Sequence, residues 1–325
     1  MKNLALFTVF NLFIFSGMFG QDLVKYNELV KEALSFYESK EYLKSGQKYS
    51  EAFAVVDDRG IVNDRYNAAC SWALANEIDS AFVQLFRIAE KGNYTNLGDI
   101  TTDPDLKSLH NDKRWSEVIE FVKSNKEKAE ANFDKPLIAT LDTIYQEDQK
   151  YRLELDSIGK KFGWKSEEMT AQWKIINHKD SINLIKIKKI LNERGWLGTD
   201  IIGFYGNLTL FLVIQHSDIE TQKKYLPMMR EAVNKGNAKA SDLALLEDRV
   251  ALRKGEKQIY GSQIGQDTKT GEYYVLPLID PDNVDERRAQ VGLPSIQVYL
   301  DHYGLIWNVE EYKKKLSEFE SKQKK

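Results

Sequence analysis

The sequence predicts a mostly α-helical protein, in which a short helical-repeat module precedes a C-terminal helical domain with a small irregular or β-hairpin element. Over most of the chain, apolar residues recur at intervals of three and four positions, the spacing of a helix that buries one face. The N-terminal part also repeats one order of small and large apolar residues, which is typical of stacked helix pairs. Residues 258–278 break the helical pattern with glycines and with the alternation around Tyr273–Val275, which predicts the hairpin.

The N-terminus predicts export from the cytoplasm. Lys2 is followed by the apolar run Leu4–Phe15 and then by small residues before Gln21. This layout is typical of a secretory signal peptide, so we expect residues 1–20 to be removed and the mature protein to be periplasmic or extracellular. The alternative is an uncleaved membrane anchor, but the run is shorter than the roughly 20 apolar residues of a membrane span. We expect no stable membrane span after cleavage.

Length and charge limit the class of protein. About 300 residues follow the signal peptide, which suggests two domains of ordinary size. The formal net charge is -3, and it becomes -4 when Lys2 is removed with the signal peptide. A mildly acidic chain without a dominant basic block argues against nucleic acid as a partner. Cys70 is the single cysteine, so no internal disulfide forms, and its Ala-rich surroundings predict a buried, inert thiol.

The module over residues 21–125 contains an internal repeat. Two series of positions correspond, namely Leu29, Ala33, Phe36, Tyr42, Ser45, Tyr49 and Ala52 with Arg65, Ala69, Trp72, Ile78, Ala81, Leu85 and Ile88. All pairs but the one containing Arg65 agree in small or large apolar character, and the offset of 36 positions is close to the tetratricopeptide period of about 34. The small residues predict closely packed helices, with turns at Lys40–Glu41 and Asn76–Glu77.

The second repeat resembles the closing repeat at the end of some bacterial tetratricopeptide groups. The resemblance covers roughly residues 60–123 and rests on Tyr66–Cys70, Asp79–Phe82, Leu85, Gly92, Tyr94, Asp103–Leu106, Leu109 and Arg114–Trp115. It implies a scaffold or peptide-binding surface, and hence a protein or peptide partner for this tetratricopeptide-like module. Within it, Asp103 followed by Pro104 predicts a helix N-cap with proline in the first turn.

The C-terminal part predicts a separate helical domain over residues 137–310. A charged linker or linker helix, residues 126–136, precedes it and ends at Pro136, and a charged tail, residues 311–325, follows it. Helical periodicity recurs over 137–158, 167–193, 204–216, 225–233, 240–252 and 284–291. The segment Phe204–His216 is strongly apolar but short, so it predicts a buried core helix.

This domain resembles a widespread bacterial family of unknown function over roughly residues 137–300. The resemblance rests on a series of motifs, namely Asp148-Gln149-x-x-Arg152, Trp173, Asp180, Asn183, Gly195-Trp196, Gln215-His216-x-Asp218, Asp248-Arg249 and Gln258-x-Tyr260-Gly261-x-Gln263. The chain departs from the family pattern with Leu197 where proline is expected and with Ser262 where threonine is commoner. The resemblance identifies the domain, but it does not imply any particular reaction.

His216, Asp248 and Arg249 are the candidate catalytic residues. His216 ends the most apolar helix, where the helix dipole and the nearby carboxylate of Asp218 favour protonated imidazole, a general acid or a donor to an anion. Asp248 and Arg249 follow an apolar stretch of another predicted helix. The alternatives are that His216 caps its own helix and that Arg249 binds a carboxylate or backbone carbonyls of the fold.

Further polar residues are candidate ligand-binding groups. They are Asp148, Arg152, Gln215, Asp218, Gln258, Tyr260 and Gln263. Asp148 and Arg152 are four positions apart on one helix face, and the loop after Gln258 combines amides, a phenol and Gly261. We expect His216, Asp248, Arg249, Tyr260 and Gln263 to converge on one pocket, because buried polar groups persist when they pair with each other or with a ligand.

Two function classes follow. The four histidines have no metal-ligand spacing, the chain has no cysteine pair, and no nucleotide-binding or nucleophile motif occurs, so we expect neither metal site nor cofactor. The first class is a binding or scaffold protein of the cell envelope, with the repeat module for protein–protein interaction and a C-terminal polar pocket for a ligand. The alternative is an envelope hydrolase or transferase that uses His216 with Asp248 and Arg249.

Overall fold

The computed structural model describes residues 20–267 and 271–323, so the predicted signal peptide lies outside the described residues except for Gly20. The described residues form two compact units: unit 1 ends at Ala131 and unit 2 begins at Asn132. Both consist mainly of helices, and unit 2 adds a two-stranded sheet, which confirms the predicted fold class. Among the described helices, none combines the length and the apolar character needed to cross a membrane.

Unit 1 is an all-helical unit around one apolar core. Its elements are α1 (Gly20–Glu38), α2 (Tyr42–Val55), α3 (Val62–Leu74), α4 (Ile78–Phe86) with a π-helical turn at Arg87–Lys91, α5 (Leu97–Thr102), a 3-10 helix (Pro104–Leu109) and α6 (Lys113–Ala129). The Asp103 side chain accepts a hydrogen bond from the Asp105 N–H at 2.9 Å, so Asp103 and Pro104 begin the 3-10 helix as the sequence predicted. Cys70 is buried, and burial raises the pKa of its thiol well above the usual range.

The turns that end α1 and α3 have the same geometry. Lys40 and Asn76 adopt left-handed φ angles of 62° and 61°. The N–H of the residue after each one bonds back to the helix: Glu41 to the Phe36 carbonyl at 2.8 Å, and Glu77 to the Trp72 carbonyl at 2.9 Å. These turns lie at positions that the internal repeat aligns.

Small residues let α1, α2 and α3 approach closely. The buried Ser45 hydroxyl donates to the Ala33 carbonyl at 2.8 Å and lies 2.9 Å from the Ser71 hydroxyl. At Gly46, an added Cβ would stand 2.5 Å from the ring of Trp72. The Trp72 ring of α3 therefore packs directly against the backbone of α2 at Gly46, which a larger side chain would prevent.

Unit 2 is built around the apolar helix α10. Its elements are α7 (Lys135–Leu153), α8 (Leu155–Phe162), α9 (Glu167–Arg194), α10 (Thr199–His216), α11 (Ile219–Asn234), α12 (Ala240–Arg253), β1 (Ile264–Gln266), β2 (Tyr273–Val275), a 3-10 helix (Pro281–Asn283), α13 (Val284–Gln290), α14 (Ile296–Leu300), a 3-10 helix (Asp301–Tyr303) and α15 (Val309–Gln323). Helix α10 packs against α7, α9, α11 and α12, and their apolar side chains form one core cluster.

Helix α10 is interrupted near its start. Gly203 has φ 67° and ψ 175°, which is not helical, so the regular helix runs from Phe204 to His216. These are the bounds that the sequence predicts for the core helix. The side chains of Leu210 and Ile214 on this segment are fully buried.

The last part of unit 2 contains the predicted hairpin and a terminal helix. Strands β1 and β2 pair in antiparallel register, with Ile264 opposite Val275. The predicted solvated tail over residues 311–325 is helical in α15 as far as Gln323. Charge pairs one turn apart support this helix, because Lys315 lies 2.8 Å from Glu311.

Candidate functional site

A cavity of about 230 Å³ opens beside the C-terminal end of α10 in unit 2. This is smaller than the roughly 300–1,000 Å³ of sites for drug-sized ligands. Helices α7, α9 and α10 and the turn before α11 provide the lining, which consists of Asp148, Asn177, Asp180, Ser181, Leu184, Val213, His216, Ser217 and Asp218. The lining therefore carries three carboxylates and one imidazole, and it contains no lysine or arginine.

Asp148 and His216 form a direct contact at this cavity. The Nδ1 atom of His216 lies 3.0 Å from Oδ1 of Asp148, which is only 1% exposed. Burial acts to raise the pKa of Asp148, but the hydrogen bond and charge of His216, followed by the charge of Arg152 and the hydrogen bond of Gln149, outweigh it. The pKa of Asp148 therefore lies below its ordinary value, and the buried carboxyl is ionised at neutral pH.

Arg152 joins Asp148 to a second carboxylate, that of Asp180. Its Nη1 lies 3.3 Å from Oδ1 of Asp148 and donates to the Asp148 backbone carbonyl, while Nη2 donates to Oδ2 of Asp180 at 2.7 Å. The other oxygen of Asp180, Oδ1, is shielded from solvent and has no hydrogen-bond partner among the described residues. One turn along α9, Asn183 is fully buried, and neither atom of its amide has a partner in the described part of the chain. This interior therefore contains buried polar atoms that lack hydrogen-bond partners among the described residues.

The contact fixes the imidazole of His216 in one orientation. Because Nδ1 faces a buried carboxylate, the neutral ring carries its proton there and leaves the lone pair of Nε2 for another group. Such a nitrogen accepts a proton from a ligand hydroxyl or water, binds a cation, or donates a hydrogen bond when the ring is protonated. His216 is therefore an oriented polar group at a cavity, supported by an anion behind it.

Asp218, predicted to favour a charged His216, has a different partner. Its carboxylate accepts from the Thr221 N–H at 2.8 Å and from the Thr221 hydroxyl at 3.0 Å, so it caps the start of α11. The backbone bond to Thr221 lowers the pKa of Asp218, against a smaller opposing effect of burial. Asp218 therefore adds an ionised carboxylate to the lining of the cavity while it stabilises a helix.

Asp248 lies outside this cavity and anchors a loop. It is fully buried on α12, and its carboxylate accepts from the N–H groups of Ile259 at 2.6 Å, Tyr260 at 3.0 Å and Ser262 at 2.9 Å. A carboxylate that accepts several backbone N–H bonds is strongly held. The predicted pairing of Asp248 with His216 is thus corrected: the carboxylate beside His216 is that of Asp148.

Arg249 and two glutamines complete the support of this loop. Arg249 donates to the Gln215 carbonyl at 2.8 Å, near the end of α10, and to the side chain of Gln263 at 3.2 Å. This is the carbonyl-binding role that the sequence left open for Arg249. Gln258 is fully buried, donates to the Gln263 and Leu276 carbonyls, and accepts from the Gln263 N–H.

The remaining predicted residues lie close to the same loop. Gln215 is buried, its amide lies 3.5 Å from the Leu245 carbonyl, and its Oε1 has no partner among the described residues. Tyr260 is half-buried, and burial raises the pKa of its phenol. The change of direction after Tyr260 comes from Gly261, whose φ is 68°.

The predicted site residues therefore form two groups. Those at or against the cavity are Asp148, Arg152, His216 and Asp218, and those in the loop support are Gln215, Asp248, Arg249, Gln258, Tyr260 and Gln263. The second group contributes no side chain to the cavity lining, contrary to the expected single pocket. Asp180 was not among the predicted site residues, although a signal existed: it interrupts the apolar stripe of α9 between Ile176 and Ile187.

Comparison with known proteins gives one match. A family model described as a family of unknown function (DUF6624) matches residues 136–308, which is more than half of the chain and agrees with the predicted domain of unknown function. No curated protein and no solved structure matches the chain.

Proposed function

The chain belongs to the DUF6624 family of unknown function, and we propose that it is an exported binding protein of the cell envelope. Unit 2 binds a small polar ligand in the cavity beside His216. Unit 1 is a tetratricopeptide-like module that holds a protein or peptide partner. The observation that carries the proposal is the oriented imidazole of His216, held by the buried Asp148 at the edge of a polar cavity.

The energetics of Asp148 support a role for the cavity in binding. Taking a carboxylate out of water costs several kcal/mol, and its ion pairs repay this cost only with good geometry, so apolar residues often serve a fold equally well. Here Asp148 is held ionised by His216 and Arg152. A second carboxylate, Asp180, keeps one shielded oxygen without a partner. A ligand that bonds to this oxygen would offset part of the cost of burying the two carboxylates.

The ligand is small and is not an anion, because of the size and charge of the cavity. Its lining has three carboxylates and no cationic side chain apart from His216 when protonated. A neutral polar molecule or a cation meets hydrogen-bond acceptors on several sides. The hydroxyls of Ser181 and Ser217 and the amide of Asn177 add donors at the same surface.

The partner-binding role of unit 1 rests on its repeated helix pairs. The turns at Lys40 and Asn76 share their geometry, and the Ser45 hydroxyl donates to the Ala33 carbonyl where α1 and α2 pack together. Helix pairs stacked in this way present extended surfaces that bind peptides. The resemblance to a closing repeat of bacterial tetratricopeptide groups supports the same role.

A second candidate is an envelope hydrolase or transferase. The contact between His216 and Asp148 favours it, since a carboxylate behind an imidazole orients a general base. In such an enzyme, Asp148 would be the partner of His216, instead of Asp248 and Arg249. Hydrolysis of p-nitrophenyl acetate or p-nitrophenyl phosphate by the mature chain, lost in His216→Asn, would favour the enzyme. Its absence would favour binding alone.

The binding proposal is tested with small polar compounds in the presence of EDTA. Amino acids, sugars and amines are screened against residues 21–325 by thermal shift, and hits are mapped by changes in amide NMR signals. We expect the changes at residues 177–181 and 216–218. Ser181→Trp, which narrows the cavity from an exposed position, should abolish binding, whereas Glu193→Trp at another exposed position of α9 should not. Hits that map elsewhere, or a panel without hits, would contradict the proposal.

A further inference from the structure

Three side chains at the cavity are arranged like metal ligands. Asp148 comes from α7, Asp180 from α9 and His216 from α10, and one donor atom of each lies within 4.8 Å of the other two. Metal–ligand bonds of about 2.0–2.2 Å place neighbouring donors roughly 3–3.6 Å apart. Without an ion, the 3.0 Å separation between Oδ1 of Asp148 and Nδ1 of His216 is a hydrogen bond, and a metal ion bound at Nδ1 would replace the proton that this nitrogen carries in the neutral ring. Small side-chain movements would therefore bring all three to one ion.

A shielded oxygen of Asp180 gives an independent reason to expect a cation. Oδ2 of this carboxylate is bound by Arg152, but Oδ1 is shielded from solvent and has no partner within residues 20–267 and 271–323. A buried acceptor without a partner costs about 1–3 kcal/mol, and more when it belongs to a charged group. A cation beside Oδ1 removes that cost. Arg152 then stays on Oδ2 and fixes the orientation of the carboxylate.

The charge around the cavity also favours a cation. Asp148, Asp180 and Asp218 are acidic lining residues, and the one guanidinium that contacts them, Arg152, lies outside the lining. The three aspartates and Arg152 sum to a net charge of -2, which becomes -1 when His216 is protonated. A divalent ion would neutralise this charge, whereas an anion would be repelled by it.

We propose that Asp148, Asp180 and His216 bind a divalent transition-metal ion of the Zn²⁺ or Mn²⁺ type, with water at the remaining positions. The imidazole favours such an ion over Mg²⁺ or Ca²⁺, which prefer oxygen ligands alone. The inference rests on the proposed function of this cavity as a ligand site and names the ligand. It also revises the sequence-based expectation of no metal site, because the three ligands lie 32 and 36 positions apart and form no local motif.

Metal binding is measured by isothermal titration calorimetry on residues 21–325, after EDTA treatment and its removal, with Zn²⁺, Mn²⁺ and Mg²⁺ as probes. We expect one equivalent of Zn²⁺ or Mn²⁺ and weaker binding of Mg²⁺. Asp180→Asn and His216→Asn should each lower the affinity by at least about 100-fold, because each removes a direct ligand and even the groups that support ligands are worth about 10–100-fold. Asn Nδ2 can still donate to Asp148, so His216→Asn should stay folded, as circular dichroism would verify.

Two exposed positions provide matched controls. Asp142→Asn on α7 and His178→Asn on α9 remove the same chemical groups outside the cavity and should leave the affinity unchanged. Co²⁺ should give a visible absorption band in the wild type that both cavity variants lose. Absence of binding, or binding that the cavity variants leave unchanged, would overturn the metal site. A polar compound that binds the cavity in EDTA would then still uphold the proposed function, so the two failures are distinguishable.

Discussion

The carboxylate of Asp248 holds the backbone of Tyr260 in place. Both of its oxygens accept from the Tyr260 N–H, at 3.0 and 3.2 Å, and they also accept from the N–H groups of Ile259 and Ser262. From the other side, the fully buried Arg288 donates to the Tyr260 carbonyl at 2.7 Å. The loop around Gly261, which carries three of the candidate ligand-binding residues, is therefore a structural junction between α12 and the C-terminal helices.

Asp248→Asn should destabilise unit 2 strongly. The amide keeps one acceptor oxygen but turns an N–H₂ group toward backbone donors, so buried N–H groups lose their partner at a cost of at least roughly 2 kcal/mol. Urea denaturation should show a lower midpoint for the transition of unit 2. Glu247→Gln on the same helix removes a salt bridge to the exposed Arg230 and should cost less than about 1 kcal/mol. Equal stability of the two variants would contradict the anchoring role.

Gly46→Ala should destabilise unit 1, against the usual effect of this change in a helix. Replacing glycine by alanine in a helix normally gains about 0.5–1 kcal/mol. At Gly46 the new methyl group would meet the Trp72 ring at 2.5 Å, and overpacking of this kind costs about 1–3 kcal/mol. In the control Gly98→Ala the nearest contact is an ordinary 3.6 Å. Thermal melts should rank wild type above Gly46→Ala, and the reverse order would refute the close helix contact.

Asp242 should make the stability of unit 2 depend on pH. Burial raises its pKa to about 6, and Lys239 offsets this in part. Because the folded pKa exceeds the unfolded value, the folded state loses stability as pH rises from about 4 to 6, and the loss is complete above that window. Asp242→Asn should therefore melt a few degrees higher than wild type at pH 7.5 and at the same temperature at pH 4. An unchanged difference between the two pH values would contradict this assignment.

The two units should fold separately. Helix α6 ends at Ala129. A few residues later, the Asp134 N–H donates to the Ile201 carbonyl of unit 2 at 2.9 Å. Limited proteolysis of the mature chain should cut first between Ala129 and Asp134. Fragments 21–131 and 132–325 should each show helical circular dichroism and a cooperative melt. If either fragment is unfolded, the prediction fails.

The sequence predicted the bounds of α10 and α12 closely because those bounds have local causes, but it placed the start of α11 at Tyr225 instead of Ile219 and did not predict α14. The regular part of α10 matches the predicted range, since Gly203 ends one apolar pattern and Phe204 starts the next. Ala240–Arg253 likewise differs from its predicted range, 240–252, by one residue. The charged tail was predicted without a secondary structure, because charge alone does not separate a solvated helix from a coil, and pairs such as Glu311 with Lys315 stabilise the helix.

The site was harder to predict because its contacts are not local. Asp218 and Asp248 were the carboxylates expected to act with His216. Its observed partner, Asp148, lies 68 positions earlier and reaches it only because α7 packs on α10. The motif that contains Asp148 identified this residue as a candidate, but it did not show that the carboxylate contacts His216. Polar residues inside an apolar stripe, such as Asp180, were the signal that sequence reasoning left unused.

His216→Asn tests the central claim, that the cavity beside His216 is a binding site. Asparagine can still donate to Asp148 from near the position of Nδ1, but it lacks the imidazole nitrogens that accept a proton or bind a cation. Calorimetric titration with the tightest polar compound or ion should show an affinity lower by about tenfold or more, while the melting temperature stays near that of the wild type. An unchanged affinity, or a melting temperature lower by several degrees in the absence of ligand, would contradict the claim and leave His216 as a structural partner of Asp148.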